Sequence, residues 1–401
     1  MPPRIPDRAA TVAARPSSTR PSVARRALST LVAVVALGAC SVGPDTADGA
    51  ERAAGGGTAG TADGAGAPST GQGGDRPDGD EPVGDEPVED APSRQPVSFV
   101  FGGDVHFEGR VGTSLDRSAT GPLAGMAGTY GPDEIVVVNL ETAITESTGA
   151  AGKTYTFKAP PARLAELVAD GVDVVSLANN HGMDFGARGL ADTLAAADAV
   201  GMPLVGAGAD ADEAFAPWTT TVGDHRVAVL GATQVLDNAF ESAWTADADS
   251  PGLASAKQPQ RLVEAVARAA AEADTVAVMV HWGVEKQTCP TADQQELARA
   301  LVDAGADIVV GGHAHRLQGA GRMGTAVVGY GLGNLVFDTP DGSDGARTGM
   351  LRVRADGSGH LDYQWLPAAI VGGLPRQVEG AAGAAAVADW TALRDCTGLT
   401  D

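Results

Sequence analysis

Cysteine is scarce in this chain of 401 residues, which has only Cys40, Cys289 and Cys396. Neither of the last two has a second Cys or a His at metal-ligand spacing, so we do not expect cysteine to bind a metal. Outside the cytoplasm, a single pair of cysteines is more often joined than free. We therefore predict a Cys289–Cys396 disulfide, with two unpaired thiols as the alternative.

Basic residues are also few. The chain has 28 Lys and Arg against 51 Asp and Glu, which gives a formal net charge of −23 at pH 7. Nucleic-acid binding normally needs a basic face, so we expect no nucleic-acid partner. A polyanionic substrate would have to be held by a metal ion or by local arginine charge.

The apolar stretch near the N-terminus, residues 27–39, is too short to span a bilayer, which needs about 20 apolar residues. It follows a basic segment and ends in Leu37-Gly38-Ala39-Cys40, which resembles a bacterial lipobox. Residues 1–40 therefore predict a lipoprotein signal peptide, and the resemblance implies lipidation of Cys40. The alternative is an ordinary export signal in which this cysteine occurs by chance. The Arg25-Arg26 pair leaves both Sec and twin-arginine export open.

Large apolar side chains are almost missing from residues 41–96, which are rich in Gly, Ala, Asp, Glu, Pro, Ser and Thr. Gly-Asp-Glu-Pro-Val occurs twice in tandem, at 79–83 and 84–88. Such a segment cannot bury enough surface to offset its chain entropy. We predict a disordered acidic tether rich in Gly, Ala and Pro, which leads into one folded domain over residues 97–401.

From Val97 onward, short apolar runs alternate with longer amphipathic segments, a rhythm typical of an α/β domain. The predicted strands are Val97–Phe101, Ile135–Val138, Val172–Leu177, Val227–Leu230, Thr275–Val280, Asp307–Val310 and Thr325–Tyr330. The predicted helices are Ala162–Asp170, Arg188–Val200, Gln258–Glu272 and Ala292–Ala304. Gly171 and Gly305 are placed to end two of these helices. Gly349–Val353 and His360–Leu366 flank Asp356-Gly357 and predict an antiparallel hairpin.

Side chains that can bind metal follow most of the predicted strands. Five of the seven histidines lie in six short motifs, together with carboxylates and amides. The motifs are Gly103-Asp104-Val105-His106, Asn139-Leu140-Glu141, Asn179-Asn180-His181, His281-Trp282-Gly283, Gly311-Gly312-His313-Ala314-His315 and Gly331-Leu332-Gly333-Asn334. Ligand sites in open α/β sheets lie beyond the carboxyl ends of the strands, so these loops should converge. Their side chains indicate a divalent metal site.

The order of these motifs resembles that of the calcineurin-like metallophosphoesterases. More closely, residues 97–340 are similar to the bacterial capsule-synthesis CapA family, the poly-γ-glutamate biosynthesis proteins, which is related to that superfamily. The resemblance implies a metallophosphatase-like fold, a four-layer α-β-β-α sandwich. It also implies a cofactor of two divalent ions, Mn, Fe or Zn.

The resemblance further implies a role for each motif. The metal ligands would be Asp104, His106, Glu141, Asn180, His281, His313 and His315. The Asp-x-His pair would bind one ion, the glutamate would bridge to a second, and the two terminal histidines would be divided between the ions. His181 would not bind metal but would protonate the leaving group or stabilise developing charge.

Two positions depart from the pattern of the superfamily. The usual bridging aspartate is replaced by Glu141, which is one methylene longer. The acidic residue that commonly follows the Asn-His pair is replaced by Gly182. Asp184, two residues further on, is either a partner of His181 or a helix N-cap.

Other residues near the motifs have two interpretations each. Arg316 binds a phosphate or carboxylate of the substrate, or forms a surface salt bridge. Asn334 lines the substrate pocket, or satisfies a turn with positive φ. Trp282 stacks on a substrate, or packs in the core. His225 and His360 have no ligand neighbours in sequence and are expected at the surface.

The lipobox-like ending of the signal peptide predicts an extracytoplasmic lipoprotein, anchored to the outer face of the cytoplasmic membrane. Family membership would imply a role in the assembly, export or processing of an anionic polymer. The protein would act as a metal-dependent hydrolase or transferase on an anionic capsular or cell-wall polymer such as poly-γ-glutamate. Membrane subunits of a capsule synthase would be its partners. Two alternatives are a non-catalytic polymer-binding subunit, which would turn over no ester or amide, and a secreted metallophosphodiesterase, which would act on nucleotides but not on polyglutamate.

Overall fold

The computed structural model describes residues 94–401. The predicted signal peptide with Cys40, and residues 41–93 of the predicted tether, lie outside this range. None of the helices formed by residues 94–401 has the length and apolar character needed to cross a membrane.

Residues 94–401 form eighteen strands and eight α-helices. The strands are β1 Val97–Val105, β2 Ile135–Leu140, β3 Ala143–Ile144, β4 Lys158–Ala159, β5 Val174–Ser176, β6 Leu204–Val205, β7 Ala207–Gly208, β8 Trp218–Val222, β9 His225–Thr233, β10 Gly252–Leu253, β11 Thr275–His281, β12 Ile308–Gly312, β13 Leu317–Met323, β14 Ala326–Leu332, β15 Asn334–Val336, β16 Arg347–Ala355, β17 Leu361–Val371 and β18 Leu374–Gln377. The helices are α1 Arg110–Asp116, α2 Ala162–Ala169, α3 Gly186–Val200, α4 Ala211–Ala214, α5 Glu241–Trp244, α6 Gln260–Glu272, α7 Ala292–Asp303 and α8 Gly380–Ala392.

Two large mixed sheets contain most of these strands. The first sheet has the order β18-β17-β16-β1-β2-β5-β6, and β15 also pairs with the end of β1. The second sheet has the order β13-β14-β12-β11-β9-β8. Neighbouring strands in the middle of each sheet are parallel, from β1 to β6 in the first and from β14 to β9 in the second. Parallel strands bring their carboxyl ends to one edge of the sheet, which is where loops can build a site.

The two sheets pack face to face. Alternate side chains of a strand point to opposite faces, so a strand buried on both faces is apolar throughout. Phe99 and Phe101 of β1 share a buried core with Val229 of β9 and with Met279 and Val310. This core lies between the sheets and fixes their separation.

Helices cover the outer face of each sheet. On the first sheet, Val136 and Val138 pack in one core with Leu164 of α2. On the second sheet, Val278 packs in another core with Leu297 of α7 and Val266 of α6. The structure therefore has the predicted α/β architecture, a four-layer α-β-β-α sandwich.

The local signals for helix ends agree with the structure. Gly171 and Gly305 follow α2 and α7 with φ of +91° and +103°, in the left-handed region that favours glycine. At the other end of α7, the Thr291 hydroxyl accepts from the backbone N–H of Gln294, and the Gln294 side chain accepts from the backbone N–H of Thr291. This capping box satisfies N–H groups that the first helical turn leaves without partners.

One surface prediction is wrong. His225 is only 2% exposed, and its Nε2 lies 2.8 Å from Thr275 Oγ1 while its Nδ1 lies 3.0 Å from the carbonyl oxygen of Gln95. The histidine is buried because both ring nitrogens have partners on neighbouring segments. His360 is exposed, as predicted, beside Asp362.

A disulfide joins Cys289 to Cys396, with a Cα–Cα distance of 5.7 Å. Cys289 lies in the loop between β11 and α7, and Cys396 ends a short 3-10 helix, Leu393–Cys396, near the C-terminus. The bond therefore ties the C-terminal segment to a loop that begins at the end of a central strand of the second sheet.

Candidate metal centre

Most of the predicted ligands converge where the carboxyl ends of β1, β2, β11 and β12 meet. They form two groups, Glu141 with His281 and His313, and Asp104 with Glu141 and His315. Within each group, one candidate ligand atom of every residue lies within 4.8 Å of the others. Glu141 belongs to both groups, which is the position expected of a bridging ligand.

Asp104, at the end of β1, is held on both of its oxygens. Oδ1 accepts from Asn139 Nδ2 at 2.8 Å, and Oδ2 accepts from the backbone N–H of His313 at 3.0 Å. Complete burial acts to raise the pKa of this carboxyl, but the hydrogen bond from His315 and the charges of His281 and His315 lower it to about 2. The carboxylate is therefore ionised at neutral pH and fixed in orientation.

Glu141, just past β2, has the opposite character. Both carboxyl oxygens are buried, and neither has a hydrogen-bond partner among residues 94–401. Burial, followed by the negative charge of Asp104, raises the pKa of Glu141 to about 8. A buried carboxylate without a partner is costly, and a cation beside it removes that cost. The unpartnered oxygens, together with the imidazoles around them, fit a divalent ion.

The three histidines of the two groups differ in charge. Burial lowers the pKa of His281 to about 4 and that of His313 to about 2, so both rings are neutral at pH 7 and have a lone pair to offer. Burial acts in the same direction on His315, but the charge of Glu141 and the hydrogen bond to Asp104 raise its pKa to about 9. His315 would have to release a proton before it could bind a metal.

The backbone around the His-x-His motif is strained. His313 has φ +84° and His315 has φ +50°, a region that residues other than glycine rarely adopt and that costs about 1–2 kcal/mol per residue. A Cβ on Gly312 would lie 2.4 Å from Asp104 Oδ1, so only glycine fits beside the carboxylate. Strain of this kind concentrates at functional sites, where the surrounding structure enforces it.

Asn180 also joins the site. Its Oδ1 lies 2.8 Å from His281 Nε2, and the same nitrogen lies 3.4 Å from Glu141 Oε1. The amide oxygen is therefore beside the group formed by Glu141, His281 and His313, where the family pattern places it.

His106 lies in neither group, and the metal-ligand role predicted for it stays a prediction. Its Nδ1 lies 3.2 Å from the backbone N of Glu108 and its Nε2 lies 3.0 Å from the backbone N of Asp338. The ring is stacked on Phe157, and its edge meets Phe337 at a centroid distance of 4.1 Å. Both ring nitrogens thus face backbone amides, and the ring itself belongs to an aromatic cluster.

His181 contacts one buried carboxylate and faces another. Its Nδ1 lies 2.7 Å from Asp184 Oδ2, and its Nε2 lies 4.0 Å from Glu141 Oε1. The carboxylate favours a proton on Nδ1 and leaves Nε2 on the side of the metal groups. Helix α3 has Phe185 as its N-cap residue, with no side-chain cap. Asp184 is therefore the partner of His181 and not a helix cap, and it supplies the acid that is missing at Gly182.

Several residues of the site were not assigned a role from the sequence. The Lys153 side chain is 9% exposed, its Nζ lies 2.9 Å from Asp184 Oδ1, and it donates to the carbonyl oxygen of Asn180 at 2.5 Å. The Phe157 ring stacks on His181 with 4.1 Å between centroids. Both lie in the polar loop between β3 and β4, which has no sequence signal for them.

Two asparagines form hydrogen bonds that hold Asp104 and the backbone of His181 in place. Asn179 Nδ2 donates to Asn139 Oδ1 at 3.0 Å, and Asn139 in turn donates to Asp104. The Asn179 side chain also accepts from the backbone N–H of His181. Asn179 precedes Asn180 directly, and Asn139 lies two residues before Glu141. Their positions in the motifs were the sequence signal that could have identified them as supporting residues.

The residues with two interpretations are now placed. Trp282 is fully buried and its Nε1 donates to the carbonyl oxygen of Tyr330, so it is a core residue and cannot stack on a substrate. Asn334 is 2% exposed, and its Oδ1 lies 2.8 Å from His315 Nδ1. It orients His315, so the substrate contact predicted for it is corrected to a supporting role. The positive φ of this turn belongs to Gly333.

Arg316 donates to the carbonyl oxygen of His315 and forms no salt bridge with any of residues 94–401.

Comparison with known proteins gives a consistent result. Residues 98–339 match the family described as bacterial capsule synthesis protein PGA_cap. The chain is 36% identical over 218 residues to the capsule biosynthesis protein CapA of Bacillus anthracis, a match that covers 53% of this chain and 51% of that protein. It is 38% identical over 166 residues to the PGA biosynthesis protein CapA of Bacillus subtilis, covering 41% of this chain and 42% of that protein. The chain thus spans about half the length of the curated relatives it matches.

Among solved structures, a hypothetical protein from Thermus thermophilus aligns with a TM-score of 0.43 and 18% identity. That alignment covers 68% of this chain and 99% of the other.

Proposed function

The chain belongs to the bacterial capsule synthesis family PGA_cap, whose match covers more than half of it, and we propose that it is a metal-dependent hydrolase or transferase. Its substrate would be an anionic capsular or cell-wall polymer, with poly-γ-glutamate as the prototype. The observation that carries this proposal is Glu141, whose two buried and unpartnered oxygens belong to both candidate ligand groups.

Two divalent ions, Mn, Fe or Zn, would be held by this chain. One would be bound by Asp104, Glu141 and His315, and the other by Glu141, His281 and His313 with the amide oxygen of Asn180. Such ions supply Lewis-acid polarisation of the scissile centre and a nucleophile at neutral pH. Carboxylate, amide and imidazole together suit metals between the hard and the borderline classes, and this combination supports the choice of ions.

His181 would donate the proton that the leaving group needs. Its Nδ1 is bound by Asp184, so a proton carried on Nε2 is free to move toward the metal side of the site. Lys153 lies against the far oxygen of Asp184 and keeps the carboxylate from turning away from the ring. A well-placed acid of this kind contributes about 10²–10⁴-fold to rate.

An anionic polymer has to be held at a domain that is itself acidic. The bound ions would provide most of the local positive charge, and Arg316, with no ion pair to any of residues 94–401, would add to it. Local charge of this sign, focused in one place, concentrates an anionic substrate in spite of the overall charge.

We further propose export and lipidation at Cys40, which would anchor the protein to the outer face of the cell membrane. Capsule synthase membrane subunits would then be its neighbours. The support for this part is the lipobox-like sequence and the family membership.

Metal content and turnover should be measured on the same purified protein. We expect about two equivalents of Mn, Fe or Zn by elemental mass spectrometry, together with hydrolysis of γ-linked glutamate oligomers or of a chromogenic phosphodiester. The Asp104→Ala/His313→Ala variant should lose both metal and turnover. The His181→Asn variant should keep its metal and lose turnover by about 100-fold or more.

The exposed histidine gives a matched control, since His360→Asn removes an imidazole far from any ligand motif and should change neither quantity. A metal-loaded wild type that turns over no ester and no amide would favour the non-catalytic polymer-binding subunit. A folded protein that takes up no metal would overturn the proposed site altogether.

A further inference from the structure

A small cavity is lined in part by Arg316, the residue that follows the candidate ligand His315, and by residues just before and at the start of β16. Its volume is about 230 Å³, and its walls include the polar residues Arg316, Asp344 and Arg347 and the apolar residues Leu317, Trp390 and Leu393. Pockets that enclose a drug-sized ligand run from about 300 to 1,000 Å³. A cavity below that range can accept one monomer unit of a polymer, while the rest of the chain stays outside.

The cavity is coupled to the metal centre by direct contacts. Arg316 follows His315 and donates from Nη1 to the carbonyl oxygen of that residue at 2.9 Å. Gly345, next to Asp344, accepts from Asn334 Nδ2 through its carbonyl oxygen, and Asn334 holds His315. A ligand bound by Arg316 would therefore lie next to the segment that carries a metal ligand.

Arg316 is the strongest anion-binding group in the cavity wall. The residue is half-buried, and within residues 94–401 the hydrogen-bond acceptor of its guanidinium is a backbone carbonyl. Arg347 also lines the cavity, but it is exposed and pairs with Asp389 at 2.7 Å, which neutralises much of its charge. A planar guanidinium with free N–H groups matches the two oxygens of a carboxylate.

Trp390 forms an apolar part of the cavity wall. The side chain is 3% exposed and stacks on Trp365 at 4.8 Å between centroids. An aromatic side chain held in this way offers an apolar surface to the methylene groups of a bound monomer.

Asp344 limits the charge that the cavity can accept. Its carboxylate lies in the same wall as the arginines, so a dianion would meet repulsion that a single carboxylate would meet more weakly. The combination favours a monoanionic carboxylate over a phosphate dianion.

We propose that this cavity is a carboxylate-binding subsite that holds one monomer of the anionic polymer beside the metal centre. Arg316 binds the carboxylate, Trp390 forms part of the apolar wall, and Asp344 disfavours dianions. The inference rests on the proposed function for its choice of polymer, but the binding step needs neither metal nor turnover.

The test is equilibrium binding of a γ-linked glutamate trimer to the full chain by isothermal titration calorimetry, with chelator present throughout. Chelation removes any contribution of a metal ion, so this measurement can succeed even if the hydrolase proposal fails. We expect Arg316→Ala to weaken binding by about tenfold or more, since it removes a charge-assisted pair.

Controls separate loss of the subsite from loss of folding. Arg316→Lys keeps the charge but not the planar fork and should fall between wild type and Arg316→Ala. Arg354→Ala removes an exposed arginine from β16 that does not line the cavity and should bind as wild type does. Melting curves identify any variant that fails to fold, and such a variant is replaced by Arg316→Lys.

Two competitors test the ligand class. A trimer with amidated carboxylates should not bind, and inorganic phosphate should compete only weakly. The proposal is overturned if folded Arg316→Ala keeps the wild-type affinity, if the amidated trimer binds equally well, or if phosphate competes as strongly as the trimer.

Discussion

The two large sheets end at the same site but bring different chemistry to it. The first sheet contributes the carboxylates Asp104 and Glu141 and the amide of Asn180, whereas the second contributes the imidazoles His281, His313 and His315. Oxygen ligands are hard and imidazole is borderline. A site that draws one class from each sheet is complete only when the sheets are packed together.

The sheets are also unequal in how they support each other. Asp104 of the first sheet accepts a hydrogen bond from the backbone of His313, and Asn334 of the first sheet holds the ring of His315. The first sheet thus provides ligands and also positions the ligands of the second. We therefore expect polar groups of the first sheet to matter more, for stability and for metal binding, than the imidazoles themselves.

The strongest test of this asymmetry is Asp104→Ala. The change should abolish metal binding and lower the free energy of unfolding of the metal-free protein by about 3–5 kcal/mol, because it leaves buried donors of Asn139 and His313 without an acceptor. Urea denaturation with chelator present measures this. His313→Ala is the counterpart from the second sheet, and it keeps the backbone N–H bound to Asp104. Equal destabilisation by the two variants would refute the asymmetry.

The disulfide ties the loop after β11, a strand of the second sheet, to the C-terminal segment. Cys289→Ser/Cys396→Ser opens a loop with a sequence separation of 107 residues, and we expect it to lower the free energy of unfolding by about 2–4 kcal/mol. Metal content should stay at the wild-type value, because no ligand of the first sheet is affected. Thermal melts and elemental analysis of the same sample give both numbers, and a parallel loss of metal would show that the loop positions ligands.

A change to Asn334 tests support across the sheets without touching a ligand. Asn334→Ala should weaken metal affinity by about 10–100-fold, the usual effect of losing a residue that orients a metal-binding histidine. Asn334→Asp keeps an acceptor for His315 and should recover much of the loss. Competition with a fluorescent chelator measures the affinities. Wild-type affinity in the alanine variant would mean that His315 is placed by its own backbone.

The smallest effect is expected far from the metal groups, at the other end of β11. The hydrogen bond from Arg226 lowers the pKa of Asp274 to about 2, below its ordinary value of 3.8. A depressed carboxyl pKa stabilises the fold above about pH 4, and this contribution is lost as the pH falls through about 2. Asp274→Asn should therefore cost at most about 1 kcal/mol at pH 7 and almost nothing at pH 2, as measured by urea denaturation at both pH values. A pH-independent difference would argue against the ion pair as the cause.

The parts of the site that the sequence predicts well are those fixed by strand ends. Asp104, Glu141, His281 and His313 each stand at or just past an apolar run, and parallel strands bring such positions to one edge of a sheet. Every predicted strand overlaps an observed one for the same reason, since apolar runs of this length are dictated by burial.

The contacts that the sequence does not predict come from long-range packing. The ring of His106, for example, lies 3.0 Å from the backbone N of Asp338, 232 residues away in the chain. His225 lacks motif neighbours, yet Thr275 buries it from another strand. For Asp184 the sequence left two roles open, partner of His181 or helix N-cap. The choice depends on where α3 begins. None of these contacts leaves a local pattern in the sequence.

The position of β1 has a consequence for when the protein can acquire its function. This first strand of the domain is paired with β16 on one side and with β15 at its end, so Asp104 lies opposite Asn334. A chain that emerges N-terminus first, from a ribosome or through a membrane channel, presents Asp104 long before His313 and Asn334 have appeared. Contacts so distant in sequence form late and slowly. Assembly of the centre must therefore wait until nearly all of the domain has been delivered, and a truncated chain that ends before β15 is expected to carry these ligands without ever gathering them.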